Sequence, residues 1–297
     1  MNLFEAAVLG LVQGLTEFLP ISSTAHLRVV PELLGWEDPG AAFSAVIQLG
    51  TVLAVVLYFW RDVYRLLGAL ASGLKNRRPL ETFDARLAWC LVLGTVPICI
   101  LGLLLKPLIE GGLRSLYVVA SSLIALALVL WGAERWASHR RVLTEVTFRD
   151  ALVVGGWQAL ALVPGSSRSG TTLTGGLLLG LKREDAARFS FLLSIPATGL
   201  AGLFELKHLL EAQTRPSTAA LLVGTGVAFV SGMAAIAGLL RFLRTRTTAV
   251  FIVYRLALGL LLFVLLGRGV IRPMSGVENL APESVPREVP VSKQATD

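Results

Sequence analysis

Charge is what this sequence has least of. Only 16% of its 297 residues are Asp, Glu, Lys or Arg, against 54% hydrophobic, where a soluble domain carries about 25% charged residues. That shortage, with the apolar residues gathered in long runs, excludes an ordinary soluble enzyme and makes this a polytopic membrane protein. Cysteine is almost missing. Cys90 and Cys99 share one apolar segment at a spacing that matches no metal site, and are expected to be helix-packing residues. The first apolar run lacks both a basic leader and a small-residue cleavage site, so no cleavable signal peptide is expected. The net charge of +7 is no sign of nucleic acid binding, because the Lys and Arg residues cluster in short loops, where they set membrane topology.

What the chain has instead is spans. A helix needs roughly 20 residues to cross about 30 Å of hydrocarbon. Six segments meet that length, at about 41–60, 86–106, 116–136, 187–206, 218–240 and 249–267. Two further apolar stretches, 3–34 and 149–180, are each broken midway, by "LPISST" and "VPGSSRSG". Their halves are too short to cross alone, so each is expected to enter the membrane and turn back.

The two halves of the chain resemble one another. Pro20-Ile21-Ser22-Ser23 pairs with Pro164-Gly165-Ser166-Ser167, Gln13 with Gln158, Phe43-Ser44 with Phe189-Ser190, and "LGTV" at 93–96 with "VGTG" at 223–226. One set of loops carries Arg61, Arg65, Lys75, Arg77, Arg78, Arg140, Arg141, Lys182, Arg183, Arg241, Arg244 and Arg246. The other carries little beyond Lys106, Arg114, Lys207 and Arg215. The rich side is expected in the cytoplasm, with both termini outside. The fold expected is therefore an all-α polytopic membrane protein, an inverted repeat whose halves each hold a re-entrant helical hairpin and three transmembrane helices. One membrane domain covers 1–272, with repeats at about 1–136 and 149–267. Residues 273–297, rich in Pro, Glu, Ser and Val, are expected to be a disordered tail outside the site.

The breaks hold the polar residues. Gln13 and Glu17 are four apart and share a helical face. A carboxylate at membrane depth needs solvent, a partner or a metal, so Glu17 is a candidate site residue. A structural hydrogen bond to a neighbouring helix is the alternative for Glu17, and an intramembrane ion pair with Glu17 the alternative for Arg168. In the second break Pro164-Gly165 end one half-helix, and Ser166, Ser167 and Ser169 precede the next, whose unpaired N–H groups favour an anion. Arg168 adds a fork suited to phosphate oxygens, Thr171 and Thr172 add hydroxyls, and Gly165 and Gly170 allow close backbone approach. His26 follows Ser22 by four residues and Ser23 by three, and joins the candidates on that face. His139 and His208 are expected in loops, solvated. A carboxylate, histidine, guanidinium and hydroxyls around a phosphate make an inventory for phosphoryl transfer.

At these residues the chain resembles the undecaprenyl pyrophosphate phosphatase family, associated with bacitracin resistance. Gln13-Gly14-Leu15-Thr16-Glu17 running into "FLPISSTAH", and Pro164-Gly165-Ser166-Ser167-Arg168-Ser169-Gly170-Thr171-Thr172, carry the resemblance over about 1–267, with "VIQLGTVLAVVLYFW" and "FSFLLSIPA" in support. The resemblance implies hydrolysis of a C55 polyprenyl diphosphate to the monophosphate, recycling the carrier for peptidoglycan synthesis. It further implies a divalent cation, Mg²⁺ or Ca²⁺, and a site opening to the outer face of the bacterial cytoplasmic membrane. Gln13 stands where the motif often has glutamate, which leaves Glu17 the motif's one carboxylate; Glu17 is then the expected metal ligand, with Gln13 a further candidate. Ala25 replaces a glycine often found before the histidine.

The expected catalytic residues are Glu17, Ser23, His26 and Arg168. Ser22, Gly165, Ser166, Ser167, Ser169, Thr171 and Thr172 are the expected phosphate-binding set. Water, Ser23 and His26 remain alternatives for the nucleophile. The expected partners are the lipid substrate and membrane lipids, with no nucleic acid; a homodimer is compatible with the sequence. A flippase for polyprenyl phosphate is the competing reading, since broken helices meeting at the midplane also suit transport.

Overall fold

A computed structural model describes residues 1–37, 40–110, 113, 115–211 and 217–274. Twelve α-helices account for most of them: α1 (Leu3–Phe18), α2 (Ser23–Leu34), α3 (Gly40–Tyr58), α4 (Trp60–Lys75), α5 (Phe83–Leu104), α6 (Lys106–Glu110), α7 (Leu116–Trp136), α8 (Phe148–Ala159), α9 (Arg168–Leu178), α10 (Arg183–Glu211), α11 (Thr218–Leu243) and α12 (Ala249–Gly267). Two 3-10 turns, Leu143–Glu145 and Leu160–Leu162, lie beside α8. Among the described residues the only β feature is an isolated bridge between Arg141 and Leu181. Among the described residues five helices are long and apolar enough to cross a membrane, α5, α7, the Arg183–Phe204 part of α10, α11 and α12, or six if the bent pair Phe43–Tyr58 and Trp60–Lys75 is one span. The remaining expected span, at about 41–60, coincides with α3 within two residues. α3 stops at Tyr58 and the chain bends by 78° into α4. Residues 61–75, expected as a loop, are thus helical, their charges alternating with an apolar stripe. α10 also continues through His208, which lies in a helix and not in a loop.

Both broken stretches are helix pairs, α1–α2 and α8–α9, and in each pair the two helices pack on one another. Local features recur 145 residues apart. Asn2 and Thr147 cap α1 and α8 in capping boxes closed by Glu5 and Asp150. Ser22 and Ser167 cap α2 and α9 at φ 75° and 67°, each hydroxyl accepting from the N–H three residues on. This register pairs Ser22 with Ser167 and Ser23 with Arg168. Matching Pro20 to Pro164 in the sequence is therefore one residue out, because the two turns place their prolines differently ahead of the cap.

Packing crosses between the halves. α1 lies against α11, and a Cβ on Gly10 would sit 2.3 Å from the Gly224 carbonyl oxygen. α8 lies against α5, and a Cβ on Gly155, again 145 residues on, would sit 2.4 Å from the Gly94 oxygen. Such crossings need small residues because only they let helix backbones approach closely. "LGTV" and "VGTG" are thus the two spans' contact points for the opposite half's broken helix.

Cys90 is buried within α5, as expected, whereas Cys99 is exposed on its outer face. Of the expected tail, Pro273 is placed, and its carbonyl accepts from the Leu116 N–H at 2.7 Å; residues 275–297 lie outside those described.

Candidate active site

Glu17 is the centre of the polar cluster. It lies in the last turn of α1, 6% exposed. Its Oε2 accepts from the Ser23 hydroxyl at 2.7 Å and from Gln13 Nε2 at 3.2 Å. Its Oε1 accepts from Arg168 Nη2 at 3.1 Å, an ion pair joining the two breaks. The i,i+4 spacing delivers Gln13, the turn at Pro20–Ser22 delivers Ser23, and the start of α9 delivers Arg168. Arg168 also donates through Nη1 to the Ser190 carbonyl, at 3.3 Å, while its buried Nε has no partner among the described residues. A guanidinium with one donor uncommitted beside a carboxylate-bound hydroxyl retains capacity for an anionic ligand.

A cavity of about 170 Å³ opens on this cluster. Glu17, Ser22, Ser23, Thr24, Ser167 and Arg168 line its polar side, and Ile98, Ala161, Ala197 and Ala201 its apolar side, with Gln48 and Thr198 between. The N–H groups of Ser23, Thr24, Arg168 and Ser169 meet no acceptor among the described residues, so two helix N-termini share one polar site.

The remaining expected residues sit around this centre in different ways. The Ser169 hydroxyl donates to the Leu19 carbonyl at 3.0 Å, and Thr171 and Thr172 donate back to the Arg168 carbonyl at 3.0 and 2.8 Å. Thr172 further shares a 2.5 Å hydrogen bond with Ser190. Ser166 is buried, and Gly165, at φ 88°, packs its α-carbon against Val119 and donates its N–H to Thr24 Oγ1 at 3.4 Å. None of these five lines the cavity; they tie the second turn to its neighbours. His26 does not line it either. Its Nδ1 meets the Ser22 carbonyl at 2.7 Å, and because a carbonyl only accepts, Nδ1 carries the proton. Its Nε2 meets the Tyr254 hydroxyl at 2.5 Å. His139, expected solvated, is half-buried with Nε2 against the Glu134 carbonyl at 3.0 Å.

Sequence reasoning missed Thr24, Gln48, Ser190, Thr198, Tyr254 and Arg255. For Arg255 the signal was present: it is the one charged residue in the apolar run of α12, and an ionisable residue inside a span is a functional candidate.

A family model described as bacitracin resistance protein BacA matches residues 6–261. The chain belongs to that family. It is 67% identical over 297 residues to an undecaprenyl-diphosphatase of Myxococcus xanthus (strain DK1622), covering 100% of both chains. It is 50% identical over 279 residues to an undecaprenyl-diphosphatase of Prosthecochloris aestuarii (strain DSM 271 / SK 413), covering 91% of this chain and 99% of that one. An undecaprenyl-diphosphatase of Chlorobaculum tepidum (strain ATCC 49652 / DSM 12025 / NBRC 103806 / TLS) is 50% identical over 283 residues, 92% of this chain and 100% of the relative. The BacA match spans both breaks, so Glu17 and Arg168 belong to one family domain.

Proposed function

We propose that this BacA-family chain hydrolyses undecaprenyl diphosphate to undecaprenyl phosphate and inorganic phosphate, recycling the lipid carrier of peptidoglycan synthesis and thereby opposing bacitracin. One observation carries the reading: the Ser23 hydroxyl donates to Glu17, whose other oxygen is held by Arg168 from the opposite break. A hydroxyl whose proton rests on a carboxylate is an activated nucleophile, and a guanidinium beside it stabilises a transferring phosphoryl group.

In the mechanism we favour, the diphosphate head enters the cavity with its tail along Ile98, Ala161, Ala197 and Ala201. Arg168 and the free N–H groups of α2 and α9 hold the terminal phosphoryl oxygens. Ser23 Oγ attacks the terminal phosphorus, its proton passing to Glu17 Oε2. The bond to the bridging oxygen breaks, and Glu17 hands the proton to the departing undecaprenyl phosphate. Water then attacks the phosphoserine. Glu17 takes a proton from that water and returns it to Ser23 Oγ as the P–O bond breaks, releasing inorganic phosphate. His26, with Nδ1–H on the Ser22 carbonyl and Nε2 on Tyr254, holds the turn that carries Ser23.

The donor set fits Mg²⁺ or Ca²⁺. The Glu17 carboxylate and the Ser23 hydroxyl are hard oxygen donors on the cavity, whereas Gln13 turns its Nε2 to Glu17 and does not line the cavity. Among the described residues no three His, Cys, Asp or Glu side chains cluster to hold a metal alone, so the ion would rest largely on diphosphate oxygens. Bound there, it would neutralise phosphate charge.

The topology we favour is an inverted repeat with re-entrant hairpins, basic loops in the cytoplasm, termini outside and the cavity facing outward. The recurrence at 145 residues and the reciprocal glycine crossings support it. The test is phosphate release from polyprenyl diphosphate by purified protein in detergent with Mg²⁺. Release lowered about a hundredfold or more in Ser23→Ala is expected, with a labelled phosphoserine trapped on the wild type. No release from the wild type would favour a flippase and overturn the reading.

A further inference from the structure

One buried cation takes no part in the chemistry above. Arg255, midway along α12, is fully buried at 0% exposure, and no carboxylate pairs with it among the described residues. Its guanidinium is surrounded by backbone carbonyls. Nε donates to Leu123 at 3.3 Å, Nη1 to Pro20 at 3.5 Å, and Nη2 to Ser122 at 3.4 Å, Gly165 at 3.5 Å and Ser166 at 3.0 Å. Leu123 and Ser122 belong to α7. Pro20 belongs to the first turn, Gly165 and Ser166 to the second.

This arrangement follows from what the turns do on their other side. Residues after each cap, Ser23, Thr24 and Arg168, line the cavity, whereas Pro20, Gly165 and Ser166 before the caps do not, and their carbonyls face Arg255 instead. At membrane depth no bulk water meets those carbonyls, and an unsatisfied buried carbonyl is costly. Arginine, with five donors in a rigid plane, can serve several carbonyls at once, as a lysine's compact ammonium cannot. Individually these bonds are long and weak. Together they let one rigid group touch both turns and the α7 wall. Space is reserved for it: a Cβ on Gly170 would lie 2.6 Å from Arg255 Nη1.

We propose that Arg255 is the positioning residue that sets the spacing between the two turns, and so the alignment of Ser23 and Glu17 with Arg168. It acts from behind the site and does not line the cavity. The inference rests on the phosphatase reading, and it concerns the rate of the chemical step rather than substrate capture. A misplacement on the order of 1 Å costs about a hundredfold in rate when reacting groups must be aligned.

The experiment compares kcat and KM for wild type, Arg255→Lys, Gly170→Ala and the double variant, each purified in detergent and checked by size exclusion. If the wild type releases no phosphate, the phosphatase reading fails and Arg255 is not at issue. Given wild-type turnover, Arg255→Lys should lower kcat about a hundredfold with KM within about threefold. Gly170→Ala should do the same by displacing the guanidinium, and the double variant should be no worse than the more damaged single. If Arg255→Lys is not monodisperse, Gly170→Ala with Arg255→Gln takes its place in the same comparison. Wild-type kcat in folded variants, a loss confined to KM, or fully multiplicative losses would overturn the proposal.

Discussion

The two breaks share a backbone and differ in the side chains they place on it. In both, a serine at positive φ caps the second half-helix with its own hydroxyl. In both, a glutamine lies nine residues before that serine. The side chains then part company. The first helical position is Ser23 in one and Arg168 in the other; the fourth is His26 in one and Thr171 in the other. Gln13 reaches Glu17, whereas Gln158 is fully buried and donates to the Gly94 carbonyl at 3.3 Å. The position matching Glu17 is Leu162, in a 3-10 turn. One turn geometry thus presents a hydroxyl and a carboxylate from one side and a cation from the other. The second break uses its hydroxyls to fasten the turn, and that rigidity is what places Arg168.

The severest test of this division is to remove each half's charge. Glu17→Gln and Arg168→Ala should each lower phosphate release by about a hundredfold or more. Each leaves its partner buried and unpaired, a loss typically worth about 3–5 kcal/mol where the pair is sealed from solvent. Only the first break carries a carboxylate, so on the proposed mechanism the dependence on a divalent cation should respond to Glu17 alone. A chelator should silence the wild type, and Mg²⁺ should restore it. Glu17→Gln should need more Mg²⁺ for its residual rate, and Arg168→Ala should show the wild-type Mg²⁺ midpoint. Equal shifts in both variants would erase the distinction between the halves.

Next in size is Ser23→Ala. If Ser23 is the nucleophile, as proposed, its loss should cost about a hundredfold or more in rate, with the thermal unfolding midpoint in detergent close to wild type, because among the described residues the Ser23 hydroxyl bonds only to Glu17. The caps on either side of the comparison should show their effect in stability. Ser22→Ala and Ser167→Ala each remove a capping oxygen worth about 1 kcal/mol, which lowers the unfolding midpoint by similar amounts. A far larger loss in one would show that the shared geometry does not carry equal strain.

How much of this could be read in the sequence follows the same physics. Apolar length locates the spans, and proline with hydroxyls locates the breaks, since both are local properties. Glu17 and Arg168 stand out because a charge at membrane depth demands a reason, and they meet as an ion pair. The register of the two breaks was misread by one residue because proline identity outweighed the cap, and the cap is defined by φ. The bend into α4 has no proline or glycine between Tyr58 and Trp60 to announce it. Thr171 and Thr172 look like phosphate ligands in sequence, but helical threonines readily bond back to carbonyls a turn earlier, a choice of rotamer that composition does not reveal. Tyr254 meets His26 across 228 positions, beyond any local pattern.

The smallest expected effect lies at the far ends of the two half-helices. The capping box of α1 is closed by Glu5, whose bonds to Asn2 are exposed. That of α8 is closed by Asp150, which is buried and takes bonds at 2.6 and 3.2 Å from Arg141 as well as from Thr147. Arg141 also donates to the Leu179 carbonyl at 3.0 Å, so Asp150 anchors the end of α9 through it. Glu5→Gln should therefore shift stability by less than about 0.5 kcal/mol, the range of surface substitutions. Asp150→Asn should cost about 1–3 kcal/mol, because it weakens charge-assisted bonds to a partly buried arginine. Thermal unfolding of both variants in one detergent measures the difference. Equal shifts would mean that the second hairpin is no more tightly anchored than the first, and the rigidity credited to its cation would need another source.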